Sequence, residues 1–179
     1  MPNLVRPSEF AVIDVETTGF KPEDGHEIVE VAAQKIRGQS VIGQYQALVQ
    51  ASRPLDPGSV LFNGIGPELL AAEGKAGHEV FPVLHAFLGS AVLIGHNIPF
   101  DLGFLNKHFT LHALPPLTNS VLDTLLLSRK YLILPSYSLE SVARYLQVPQ
   151  PTAHRAMADV ETTRQVFLKL VERALKVGR

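Results

Sequence analysis

Residues 10 to 16, Phe10-Ala11-Val12-Ile13-Asp14-Val15-Glu16, form an apolar run with a carboxylate at its fifth and seventh positions, halted by Thr17-Thr18-Gly19. An apolar run of this length bounded by turn residues reads as a buried strand. Side chains alternate along a strand, so Asp14 and Glu16 emerge on one face while Val15 points to the other. Two anions held side by side at the end of a buried strand are costly unless a cation lies between them. The chain has no cysteine, so thiolate metal sites, disulfides and thiol nucleophiles are excluded. Oxygen ligands alone point to Mg²⁺ or Mn²⁺, both suited to phosphate chemistry. The plainer alternative, a strand-end pair facing water, stays open for these two residues alone.

The rest of the chain supplies the setting. Residues 27–37 and 41–49 read as two further strands, and the short Gly38-Gln39-Ser40 connection pairs them as a hairpin. A Pro/Gly-rich crossing from Pro54 to Gly66 leads to helical patterns at 67–72 and 78–88, then to a buried strand at 91–94. Pro99 opens a helix, Val121-Leu122 ends a last strand, and Asp123 and Ser138 cap helices over 124–131 and 139–146. The final helix, about 156–175, is expected to bury Val160, Phe167, Leu170, Val171 and Leu175. This order is that of an α/β sandwich with a mixed sheet. At 179 residues, 46% of them hydrophobic, the chain reads as one domain, 1–179, with its core over about 8–175. No leader stands at residues 1–7 and no run of 18 apolar residues occurs, so no membrane partner and a cytoplasmic location are expected. Residues 129–179 hold 9 Lys/Arg against 4 Asp/Glu, whereas residues 1–128 hold 7 against 13. A basic C-terminal part suits a phosphate backbone or, equally, the wet face of a helix.

Two more places carry candidate chemistry. Asp101 opens a helix just after Ile94-Gly95-His96-Asn97, at the carboxyl end of a buried strand, where sites form in open α/β sheets. His154 precedes the last helix and Asp159 lies in its first turn, on a side apart from the Val160/Phe167 stripe. Each acid could instead complement a helix dipole.

Taken together, these residues resemble the DEDDh exonucleases, the DnaQ-like family that includes the proofreading epsilon subunit of bacterial DNA polymerase III. Asp14-Val15-Glu16-Thr17-Thr18-Gly19 resembles the family's first motif, His96 to Leu105 with Asp101 inside it the second, and His154 followed five positions later by Asp159 the third. The similarity spans roughly residues 8–170, and tyrosine does not replace the histidine as it does in the sibling subclass. The resemblance implies a ribonuclease H-like fold whose five-stranded mixed sheet has an antiparallel second strand. It implies two divalent metal ions, Mg²⁺ or Mn²⁺, with Asp14, Glu16 and Asp159 holding the first, Asp14 shared with the second, and Asp101 acting mainly through water. His154 would be the general base. Such ions, about 4 Å apart, bind the attacking and leaving oxygens of an in-line displacement at phosphorus.

The resemblance also implies nucleotide contacts at Thr17, Thr18, Phe20 and Asn63, with Asn97 of the second motif counted among them and Ile65 wedged near the terminal base. Asn63 stands where polymerase subunits commonly carry histidine, and Gly66 where threonine is frequent, a departure from the pattern. The expected activity is release of nucleoside 5′-monophosphates from nucleic-acid 3′ ends, single-stranded DNA favoured, since Thr-Thr-Gly is usual in the polymerase-associated branch. An RNA-directed enzyme of the RNase T or oligoribonuclease kind is the main rival, and a non-catalytic module gripping nucleic-acid ends is a second. The chain stops soon after its last helix and lacks the tail by which epsilon subunits hold their polymerase, so a DNA polymerase is a possible partner and a stable partnership with one is not implied. His26, His78, His85, His108 and His112 match no motif and read as surface or partly packed groups, and Asp56 as a turn residue. His96 is read as holding a loop through hydrogen bonds. Gln165 to Leu170 has the shape of a sliding-clamp peptide, yet a helical core stripe explains the same residues.

Overall fold

The computed structural model describes residues 9–150 and 154–177. Residues 1–7, read above as carrying no leader, lie outside them. Three strands come first, β1 (Phe10–Thr17), β2 (Ile28–Arg37) and β3 (Ser40–Leu48), with a 3₁₀ turn at Pro22–Asp24 between the first two. Helices α1 (Pro57–Asn63), α2 (Pro67–Glu73) and α3 (Gly77–Leu88) follow. Then come β4 (Val92–Gly95), α4 (Ile98–Leu111), β5 (Val121–Asp123), α5 (Thr124–Tyr131), α6 (Leu139–Tyr145) and α7 (Ala156–Val177). The five strands form one sheet in the order β3-β2-β1-β4-β5. Strand β2 runs antiparallel to both neighbours, while β1, β4 and β5 are parallel, so the expected mixed sheet with its antiparallel second strand is present.

The two faces of β1 are covered by different helices, and the period-2 alternation decides which side chain meets which. Ala11, Ile13 and Val15 join Leu93 and Val31 against Phe81 and Leu84 of α3 and Phe104, Leu105 and Phe109 of α4. Val12 faces the other way and packs with Ala32 and Ile94 against Ala156, Val160 and Phe167 of α7. Asp14 and Glu16 share the parity of Val12 and therefore point toward the start of α7.

Two expectations need correction. The crossing from Pro54 to Gly66 contains the seven-residue helix α1: Asp56 caps it by accepting from Gly58 N at 2.6 Å, Pro57 sits in its first turn, and Gly64 closes it at φ 71°. The residues that suggested a loop are the helix's own caps. In α7, Val171 is 37% and Leu175 67% exposed, because the core that α7 shares with α5 and α6 ends at Leu170. Val166, Phe167 and Leu170 are buried, as a core stripe requires.

Candidate active site

The sheet itself prepares the site. Strand β1 pairs with β4 only over Phe10 to Val12, which leaves the last residues of β1 without a neighbour on that side. Asp101 fills the gap: from the first turn of α4 its Oδ1 accepts from Val15 N at 3.0 Å, and the side chain is buried. On the α7 face, Asp14, Glu16 and Asp159 converge, with one carboxylate oxygen from each lying within 4.8 Å of the others. Asp101 stands outside this trio.

Burial, and then repulsion by Asp101, Asp159, Glu16 and Glu30, holds the Asp14 carboxyl well above the usual carboxylate range. Burial and the charges of Asp159 and Glu30 push Glu16 up to about 7, while the Asn63 amide and Arg155 pull the other way. Asp101 is pushed up to about 8, burial outweighing the backbone N–H groups bonded to it. Asp159 is also raised, by burial, despite the relief given by His154. All four carboxyls are held toward their protonated forms, and the three that converge, Asp14, Glu16 and Asp159, form a donor set that fits a hard divalent cation.

His154 is exposed, with its backbone at φ 62°, and its N–H donates to Asp159 Oδ2 at 3.2 Å. Its ring lies against Phe62 of α1, centroids 3.9 Å apart. A cavity of about 540 Å³ opens over the acids, with Thr17, Thr18, Phe20, Asn97, Asp101 and His154 in its wall. Thr17 Oγ1 donates to Gly19 O, and Thr18 Oγ1 accepts from Glu27 N and contacts His26 Nδ1, which fixes the turn after β1. Asn97 takes a left-handed φ of 65° at the start of α4, its N–H held by Asp123 Oδ1.

Not every expected contact reaches this wall. Ile65 is 1% exposed, packs with Val29, Leu48 and Leu70, and does not line the cavity. Asn63 is buried as well, its Oδ1 accepting from Ile65 N and its amide beside Glu16. Sequence reasoning missed Phe62, which the α1 helix brings to the cavity, and set aside His26 and Asp56, which also line it. A helical signal over 57–63 would have found Phe62. His96 meets its expectation, its ring nitrogens lying 2.9 Å from Thr124 Oγ1 and 2.8 Å from Tyr137 O. Asp123 caps α5 through Leu125 N, as expected. His108, expected at the surface or partly packed, is buried: Nε2 accepts from Ile28 N, and burial pushes its pKa down to about 4.

The exonuclease family, RNase_T, matches residues 11–167. The chain is 36% identical over 169 residues to a DNA polymerase III PolC-type protein of Thermotoga maritima, an alignment covering 94% of this chain and 12% of that protein. It is 38% identical over 167 residues to a DNA polymerase III subunit epsilon-like protein of Rhodobacter capsulatus, covering 90% of this chain and 23% of that one. The chain therefore spans a small part of the relatives it matches. Among solved structures, E. coli exonuclease I in complex with a dT13 oligonucleotide superposes with a TM-score of 0.86 at 24% identity, over 96% of this chain and 42% of that one. That likeness concerns the fold. With its three acidic motifs gathered at one cavity of a ribonuclease H-like sheet, the chain belongs to this exonuclease family, among the DnaQ-like 3′-5′ exonucleases.

Proposed function

We propose that the chain is a divalent-metal-dependent enzyme that shortens single-stranded DNA from its 3′ end and releases nucleoside 5′-monophosphates. The observation that carries this reading is the convergence of Asp14, Glu16 and Asp159 beneath a cavity with His154 in its wall. Asp14, Glu16 and Asp159 would hold the first ion, Asp14 would share a second, and Asp101 would assist through water. When bound, Mg²⁺ or Mn²⁺ supplies charge stabilisation for displacement at phosphorus and a more acidic water. His154, whose backbone N–H holds Asp159 and whose ring stands in the cavity wall, would act as general base toward the attacking water. Exposed Phe20 and Phe62, in the cavity wall, offer apolar surface to the bases of the terminal nucleotides.

The DNA preference draws support from the oligonucleotide complex of exonuclease I and from the polymerase names of the relatives. Those names also favour a proofreading or repair setting beside a DNA polymerase. The test is incubation with 5′-labelled single-stranded DNA and its RNA counterpart, each with Mg²⁺, Mn²⁺ or chelator. A metal-dependent ladder shortening from the 3′ end of DNA supports the proposal. The same ladder on RNA alone makes the enzyme an exoribonuclease, and no cleavage of either leaves a non-catalytic module that grips nucleic-acid ends.

A further inference from the structure

Glu30 of β2 lies directly opposite Glu16 of β1 and is fully buried. Like charges facing each other across a ladder repel, and a buried carboxylate lacking donors is costly. Glu30 has donors on every side. Arg155 approaches with Nε at 3.1 Å and a second guanidinium nitrogen at 2.9 Å, Ala156 N lies at 3.0 Å, and Gln46 Nε2 of β3 at 2.9 Å. Three of these four donors come from the junction of the His154 segment and α7, some 125 positions further along the chain.

The consequence is local to the site. Arg155 O accepts the first helical bond of α7, from Asp159 N at 3.0 Å, and Ala156 N–H is among the donors a helix start leaves without an internal partner. Glu30 thus does for α7 what a local cap does elsewhere, from a different element and with a full negative charge at the positive end of the helix dipole. His154 and Asp159 flank this anchored point, one residue before it and four after it. The Arg155 guanidinium also offsets part of the repulsion at Glu16.

We propose that Glu30, acting through Arg155 and Ala156 N–H, is a positioning residue for the active site: it fixes the start of α7 so that Asp159 meets Asp14 and Glu16 and His154 stands at the cavity. For its activity readout this rests on the exonuclease reading; for its metal readout it does not. Outer partners that orient metal-holding groups are worth roughly ten- to a hundredfold in affinity or turnover.

The experiment compares the parent chain with Glu30→Gln and with Arg155→Lys, which keeps the charge and loses the planar fork. Arg155 is 37% exposed, so its replacement leaves a gap open to water. Thermal unfolding, Mn²⁺ affinity by calorimetry without substrate, and the split between kcat and KM on a single-stranded oligonucleotide are measured for each. The expected result is a folded variant whose kcat at saturating Mn²⁺ falls roughly ten- to a hundredfold with KM little changed, and whose Mn²⁺ affinity falls in the same direction. A folded variant with both quantities within about twofold of the parent overturns the proposal, on the scale of an outer partner's contribution. So does an activity loss that disappears when the assay is cooled below the variant's unfolding range. If Glu30→Gln does not fold, Arg155→Lys decides. If the parent cleaves nothing, the exonuclease reading has failed, and Mn²⁺ affinity alone decides the role of Glu30.

Discussion

Asp14 is repelled by Asp101, Asp159, Glu16 and Glu30 at once, so in the metal-free chain its charge is a burden on folding. Function and stability should therefore separate there. We predict that Asp14→Asn abolishes cleavage while the unfolding temperature in chelator holds or rises, as checked by the product ladder and a thermal melt; retained Mg²⁺-dependent cleavage would falsify the assignment of Asp14 as a ligand. His154 is a contrasting case. Its side chain is exposed and, among the described residues, stands outside the Asp14-Glu16-Asp159 trio, and its backbone N–H is what Asp159 binds. His154→Ala should keep Mn²⁺ affinity and lose turnover by roughly 10²–10⁴, the size of a general-base contribution. Normal turnover at neutral pH in that variant removes His154 from the chemistry. Spacing put Asp14 and Glu16 on one strand face, but each candidate kept a plainer reading by itself, and only the resemblance joined them to Asp101, His154 and Asp159. Glu30 was not legible, since it lies inside a strand-like run and its partner Arg155 is 125 positions away.

Elements with long apolar runs were readable, and those built mainly from caps were not. Strand β2 follows from a nearly continuous buried run that breaks at Gly38, and helix α5 from a capping Asp123. Helix α1 has seven residues, two of them Pro57 and Gly58, too few for a periodic signal. The burial of Ile65 was unreadable for a related reason: its contacts Val29, Leu48 and Leu70 come from three other elements, and no local pattern records them. The cap makes α1 testable. Asp56→Ala removes the acceptor for Gly58 N and should cost about 1 kcal/mol of stability, whereas Asp56→Asn, which can still cap, should cost little. Because α1 carries Phe62 against His154, the alanine variant should also raise KM for an oligonucleotide while the asparagine variant does not. Equal KM values in the two variants would separate the helix cap from substrate binding.

Across the whole molecule, the same carboxyls tie folding to pH and to metal. Glu16 keeps its proton to about 7 and Asp101 to about 8 in the folded chain, whereas both release it near 4 when unfolded. Below pH 4 both states hold these protons and folding loses nothing. As pH rises from 4 toward 8, the unfolded chain gives up protons that the folded chain retains, and stability falls until pH passes the folded values. Buried His108 opposes this trend at the acid end. Its pKa is about 4 when folded against 6.5 unfolded, so it adds stability as pH rises between those values. Above 6.5 that contribution is complete and the carboxyls act without it. We therefore predict that in chelator the unfolding temperature declines between pH 6.5 and 8.5. Saturating Mn²⁺ should remove most of the decline, because the ion binds the deprotonated acids of the folded state and its affinity grows as they ionise. Melts across that range, with chelator and with Mn²⁺, decide the matter. Parallel curves would mean that the acid cluster does not bind the ion, and a flat curve in chelator would mean that the carboxyls are less perturbed than their burial requires.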